Sequence, residues 1–177
     1  MDTLVFDTGP LSHFARARWL DVLKIVVGDR RAVIPQAVAS ELKIGAHNDH
    51  RLQAVLDADW IEQRELYSGF ELQAFAKFAE RLVEGERNVG ETEVLALAAT
   101  MPAHAVLDDS AAFNVGKRAG VSCKRTLALL CEAIREDLLT LELVGDVVDD
   151  LIATEYRLPF GPGEFAKWAI ANDLLVS

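Results

Sequence analysis

The chain has 177 residues, 51% of them hydrophobic, with 18 basic against 28 acidic side chains and a formal net charge of −10. That length suits one domain with a proper core and is short for two, and the apolar fraction excludes a disordered chain. The acidic balance excludes a protein that grips nucleic acid through a general positive field. It leaves a substrate that is not a polyanion, a metal with local basic residues to offset the charge, or a basic partner protein. No apolar stretch is long enough to span a membrane, and Asp2 with no basic n-region argues against a signal peptide. Cys123 and Cys131 are spaced neither like a zinc knuckle nor like a redox pair. The expectation is a cytoplasmic protein with reduced thiols and no membrane partner.

In chain order, Leu4–Phe6 is a continuous apolar run of the kind found in a buried parallel strand, and Asp7-Thr8-Gly9-Pro10 follows as a turn into helix. Apolar spacing predicts a short helix after Pro10 and another over Trp19 to Val27, closed by Gly28. Arg31 to Ile34 reads as a strand, with Pro35 at the first position of a helix that carries Glu41 in its second turn and ends near Gly45. His47 to His50 reads as polar loop, Leu52 to Leu56 as helix, and Trp60 to Glu65 as a strand. Ser68 caps a helix running to Leu82, and GERNVG breaks it before a helix that opens with Glu91 and Glu93. Ala103 to Leu107 is a second buried strand with Asp108 and Asp109 at its carboxyl end. A helix from Ser110 to Gly120, a strand at Val121 to Cys123 and helices at 127–134, 141–152 and 165–170 complete the chain. Strands alternating with helices predict an α/β fold, three layers α/β/α around a central, mainly parallel sheet. Residues 1–140 form the expected domain, and 141–177 a helical extension packed on it.

Acids therefore stand at Asp7, Glu41, Glu91 or Glu93, and Asp108 or Asp109, each at a strand end or early in a helix. In a parallel sheet those positions share one edge, where ligands bind. Carboxylates crowded there hold their protons unless a cation neutralises them, and hard oxygen donors suit Mg²⁺ or Mn²⁺. Such an ion activates water and stabilises charge on a transferring phosphate. The alternative for each acid is ordinary: Glu91 and Glu93 complement a helix dipole, Asp109 caps a helix, and Glu41 is solvated. His47 and His50 lack further ligands to complete a zinc set, His104 reads as a satisfied core histidine, and no GxSxG elbow or phosphate loop is present.

Taken together, VFDTGPL, VIPQAVASEL, NVGETEVLALA and AVLDDSAAFNVGKRAGV resemble PIN-domain nucleases in order and spacing, over about residues 1 to 137. The branch most similar is that of VapC-type toxins with a GExE-like third motif and a double-Asp fourth. The resemblance implies a PIN-like fold and places the metal-site and catalytic acids at Asp7, Glu41, Glu93 and Asp109, with Glu91 and Asp108 as alternatives. Glu93 is preferred because the apolar run of Val94, Leu95 and Ala98 aligns behind it. Thr8 matches the small hydroxyl after the first Asp, and Gly9 stands where Ser is frequent. It further implies a Mg²⁺-dependent endoribonuclease, a homodimer, held inactive by a small antitoxin that presents Arg or Lys to the acids. Lys117, Arg118, Lys124 and Arg125 are the candidate RNA-phosphate contacts. The other readings are a PIN nuclease of RNA processing or DNA metabolism without an antitoxin, and a non-catalytic binding module.

Overall fold

A computed structural model of the chain describes residues 2–85 and 87–175. Five strands, β1 (Thr3–Phe6), β2 (Arg31–Pro35), β3 (Ile61–Arg64), β4 (Ala103–Val106) and β5 (Cys123–Lys124), form one sheet in the order β3-β2-β1-β4-β5. Every pairing is parallel: Val5 lies opposite Val33 on one side and Ala105 on the other, which makes β1 the central strand. All four residues of β1 are buried, as are Ala32 to Pro35. Successive side chains of a strand point to opposite faces, so burial without alternation means that helices cover both faces. The parallel α/β architecture expected from the sequence is the one observed.

Ten helices connect and flank the strands among the described residues: α1 (Thr8–Arg16), α2 (Leu20–Val27), α3 (Gln36–Ala46), α4 (Gln53–Leu56), α5 (Gly69–Leu82), α6 (Val89–Thr100), α7 (Ser110–Arg118), α8 (Thr126–Arg135), α9 (Leu141–Ala153) and α10 (Phe165–Ala171). The α6 helix is apolar nearly all round, with Val94 to Ala98 buried, and it packs against β1, β2, β4, α3, α5 and α7. A helix apolar on every side belongs in a core, and α6 is that element here. Ser68 caps α5 in a full capping box, accepting from the Glu71 amide while Glu71 accepts from the Ser68 amide. The buried Glu71 also pairs with Arg64 at 2.6 Å.

Small differences from the expected boundaries have local causes. Pro35 ends β2 instead of opening a helix: its φ of −71° and ψ of 165° are still extended, and α3 begins at Gln36. The last strand is displaced to Cys123–Lys124, where Ala105 donates to Ser122 and Leu107 to Lys124. His50 falls in a short 3₁₀ turn, His50–Leu52, capped by Asp49. His104 is half-buried at the amino-terminal edge of the sheet, satisfied by Ser122 Oγ at 2.6 Å and Asp2 Oδ2 at 2.8 Å rather than by the core. The α9 helix inserts Val144, Val147, Val148 and Leu151 into the body and packs on α1, α8 and α10. No helix of the described residues is long and apolar enough to cross a membrane.

Candidate functional site

The central strand delivers Asp7 to the carboxyl edge of the sheet. Its amide donates to the Val106 carbonyl at 3.2 Å, so the ladder between β1 and β4 carries one residue past the strand and holds Asp7 beside the start of the Asp108-Asp109 turn. Extended backbone at Asp7 (ψ 165°) then turns into α1. The side chain is 7% exposed, and Oδ1 is buried with no hydrogen-bond partner among the described residues. Burial, then the carboxylates of Glu91 and Glu41, push the Asp7 carboxyl well above the usual range; the amides of Thr8 and Gly9 pull the other way without prevailing. An orphaned oxygen of this kind is what a native interior avoids unless something is meant to meet it.

Glu41 reaches the same place from the second turn of α3, where its exposed side chain accepts a short hydrogen bond from the hydroxyl of Thr8. Glu91 reaches it from the first turn of α6. Burial raises its carboxyl, and the charges of Glu41 and Asp109 raise it further. Asp109 caps α7, accepting from the Ala112 amide at 2.9 Å, and is exposed. Gly90 explains how α3 and α6 approach: a Cβ there would stand 2.8 Å from Glu41 Oε1. Asp7, Glu41, Glu91 and Asp109 thus act on one another electrostatically although 102 positions separate the first from the last in sequence (109 − 7 = 102).

Glu93 has other neighbours. Its Oε2 accepts from the Ala37 amide at 2.8 Å, at the start of α3, and the charges bearing on it are those of Glu41 and Glu65. Asp108 also turns away: Oδ1 accepts from the Thr126 amide at 2.9 Å, and Oδ2 from the Thr126 hydroxyl at 2.7 Å and the Tyr156 hydroxyl at 2.5 Å. Glu91 bears on Asp7 and Asp109 bears on Glu91, whereas Glu93 meets the group only through Glu41 and Asp108 is occupied by donors elsewhere. Helix periodicity separates Glu91 from Glu93, since two residues are about 200° apart around α6. Nothing in the local sequence signals the hydrogen bond from Tyr156, 48 residues downstream of Asp108.

The four basic candidates are placed unequally. Lys117 and Arg118 are exposed in the last turn of α7. Lys124 is engaged by both carboxylate oxygens of Glu132, at 2.7 and 2.9 Å. Arg125 donates to the Asp108 carbonyl at 2.7 Å, and its guanidinium stacks over the Phe113 ring at 4.4 Å. Arg125 therefore stiffens the turn that carries Asp109.

The donor chemistry fits a hard divalent cation: carboxylates and a hydroxyl, with no thiolate or imidazole among them. Among the described residues no three His, Cys, Asp or Glu side chains are grouped tightly enough to hold an ion by themselves.

Residues 3–161 match the family model DUF3368, described as a PIN domain, a span that includes α9 and Tyr156. Among solved structures, a chain of the crystal structure of VapBC2 from Rickettsia felis bound to a DNA fragment from its promoter is similar in fold. The TM-score is 0.51 at 12% identity, over 71% of this chain and 98% of that one. No curated protein matches the chain with significance.

Proposed function

From the premise that this chain belongs to the PIN-domain family, we propose that it is a Mg²⁺-dependent endoribonuclease and the toxin of a toxin–antitoxin pair. The observation that carries the reading is the buried Oδ1 of Asp7, without a hydrogen-bond partner among the described residues and with the charges of Glu91 and Glu41 bearing on it. Asp7, Glu41, Glu91 and Asp109 would hold the cation, directly or through its waters, and Thr8 orients Glu41 by its hydroxyl hydrogen bond. When bound, such an ion would supply activation of water for attack on a phosphodiester and an offset to the charge that develops on the phosphate. Asp7 and Glu91, both raised by burial and by like charge, favour any cation that relieves them. Exposed Lys117 and Arg118, with Arg125 at the Asp109 turn, supply the positive charge for an RNA backbone that the chain as a whole repels.

The acidity also suits the second half of the proposal. An exposed rim of carboxylates on a protein of net charge −10 attracts a basic segment and speeds its encounter, which is how an antitoxin would both find and block the acids. The fold shared with a chain of a VapBC complex supports that partnership.

Incubation of the purified protein with single-stranded RNA and single-stranded DNA of the same sequence, with Mg²⁺, Mn²⁺ or EDTA, tests the reading. RNA cleavage that needs the metal and is lost in Asp7→Asn is expected. Cleavage surviving in EDTA, or an Asp7→Asn variant as active as wild type, would overturn it.

A further inference from the structure

The double aspartate sets up a competition. Asp108 and Asp109 are adjacent and both follow β4. Only Asp109 bears on Glu91. Asp108 is held in the other direction by three donors, two from Thr126 at the start of α8 and one from Tyr156 beyond the end of α9. The Tyr156 ring is itself fixed: it is 8% exposed and packs against the His13 ring with centroids 4.8 Å apart. His13 lies 2.7 Å from the Thr154 hydroxyl through Nδ1. That hydroxyl donates to the Leu151 carbonyl, so Nδ1 must carry the proton and donate to it. The chain Leu151–Thr154–His13–Tyr156–Asp108 thus ties the end of α9 to α1 and to the turn after β4.

We infer that Tyr156 is a positioning residue: with Thr126 it holds the Asp108 carboxylate out of the acidic cluster and so fixes the backbone that presents Asp109 to it. Arg125 secures the same peptide from the opposite side through the Asp108 carbonyl, at 2.7 Å. The role of the segment after α9 is then to decide which of two adjacent acids faces the cation. Groups that fix what stands behind a metal-binding carboxylate act on it indirectly, and loss of such support weakens metal affinity by about 10–100-fold. The inference rests on the reading of Asp109 as one of the cation-holding acids.

The test is Mn²⁺ binding by titration calorimetry on the full chain, with a thermal melt of each protein. Tyr156→Phe keeps the ring against His13 and removes only the hydroxyl; we expect its Mn²⁺ affinity to fall about 10-fold. Asp108→Asn loosens the same contact from the other end, and the double variant should bind no more weakly than the worse single. If Tyr156→Phe does not fold, Thr126→Ser and Thr126→Val replace it in the cycle. Tyr156→Phe with wild-type affinity, whatever its melting temperature, would overturn the inference, as would single effects that multiply in the double variant. A wild-type protein that binds no Mn²⁺ would overturn the metal reading and this one together; the first two outcomes spare the metal reading.

Discussion

Glu91 and Glu93 stand two residues apart on α6 and share the charge of Glu41 but little else: Glu91 also bears on Asp7 and feels Asp109, whereas Glu93 accepts the Ala37 amide at 2.8 Å and feels Glu65. On the proposed reading, Glu91→Gln should lower the metal-dependent cleavage rate by about 10–100-fold. Glu93→Gln keeps an amide oxygen that can accept from Ala37, so its rate should stay within a few-fold of wild type. Parallel rate assays at saturating Mg²⁺ check both, and the reverse order of effects would move the site to Glu93.

Gly90 offers a separation of stability from activity. Its added Cβ would stand 2.8 Å from Glu41 Oε1, and that oxygen is the end of a flexible side chain, so Glu41 moves and the backbone does not. Alanine is also the better helix former by about 0.5–1 kcal/mol. Gly90→Ala should therefore melt no lower than wild type while losing Mn²⁺ affinity and cleavage. Calorimetry and a melting curve on the same sample decide it.

For Asp7 the sign of the pH effect follows from the direction of its shift. Asp7 and Glu91 both sit above their ordinary values of 3.8 and 4.5 in the folded chain. As pH rises from about those values, the unfolded chain loses these protons first and the native protein holds them longer, so metal-free stability falls with rising pH until the raised values are passed. Divalent cations should recover that loss by binding only the native state. Asp7→Asn removes the buried titrating carboxyl; at pH 7 without metal we expect a gain of about 1 kcal/mol, seen as roughly 2–4 °C in melting temperature, and a flatter pH profile. Melting curves from pH 4 to 8 with EDTA, then with Mg²⁺, test all three statements.

Gly116 marks a place where the fold itself has no slack. A Cβ there would lie 2.5 Å from Leu95 Cδ2 and 2.7 Å from Cys123 Sγ, wedged between α7, α6 and β5. Gly116→Ala should destabilise by about 1–3 kcal/mol through overpacking, with a drop of roughly 2–4 °C in melting temperature for each kcal/mol. Denaturant titration gives the free energy directly. A variant as stable as wild type would mean that α7 can shift without cost.

The order of elements, the parallel sheet and the edge to which Asp7, Glu41 and Asp109 belong were readable from the chain alone, because buried parallel strands are continuous apolar runs and turns into helices announce themselves with Gly, Pro and capping residues. Composition also determined that any polyanionic substrate must be met by local cations against a general repulsion. What only the tertiary structure decided was the different surroundings of the two members of each acidic doublet. Two carboxylates side by side in sequence are chemically equivalent until a helix rotates one toward Asp7, or until donors from a distant segment, here Tyr156, claim the other. Those donors lie 18 and 48 positions from Asp108, beyond the reach of any local pattern, because hydrogen bonds are settled by where the packed backbone brings groups together and not by their spacing along it.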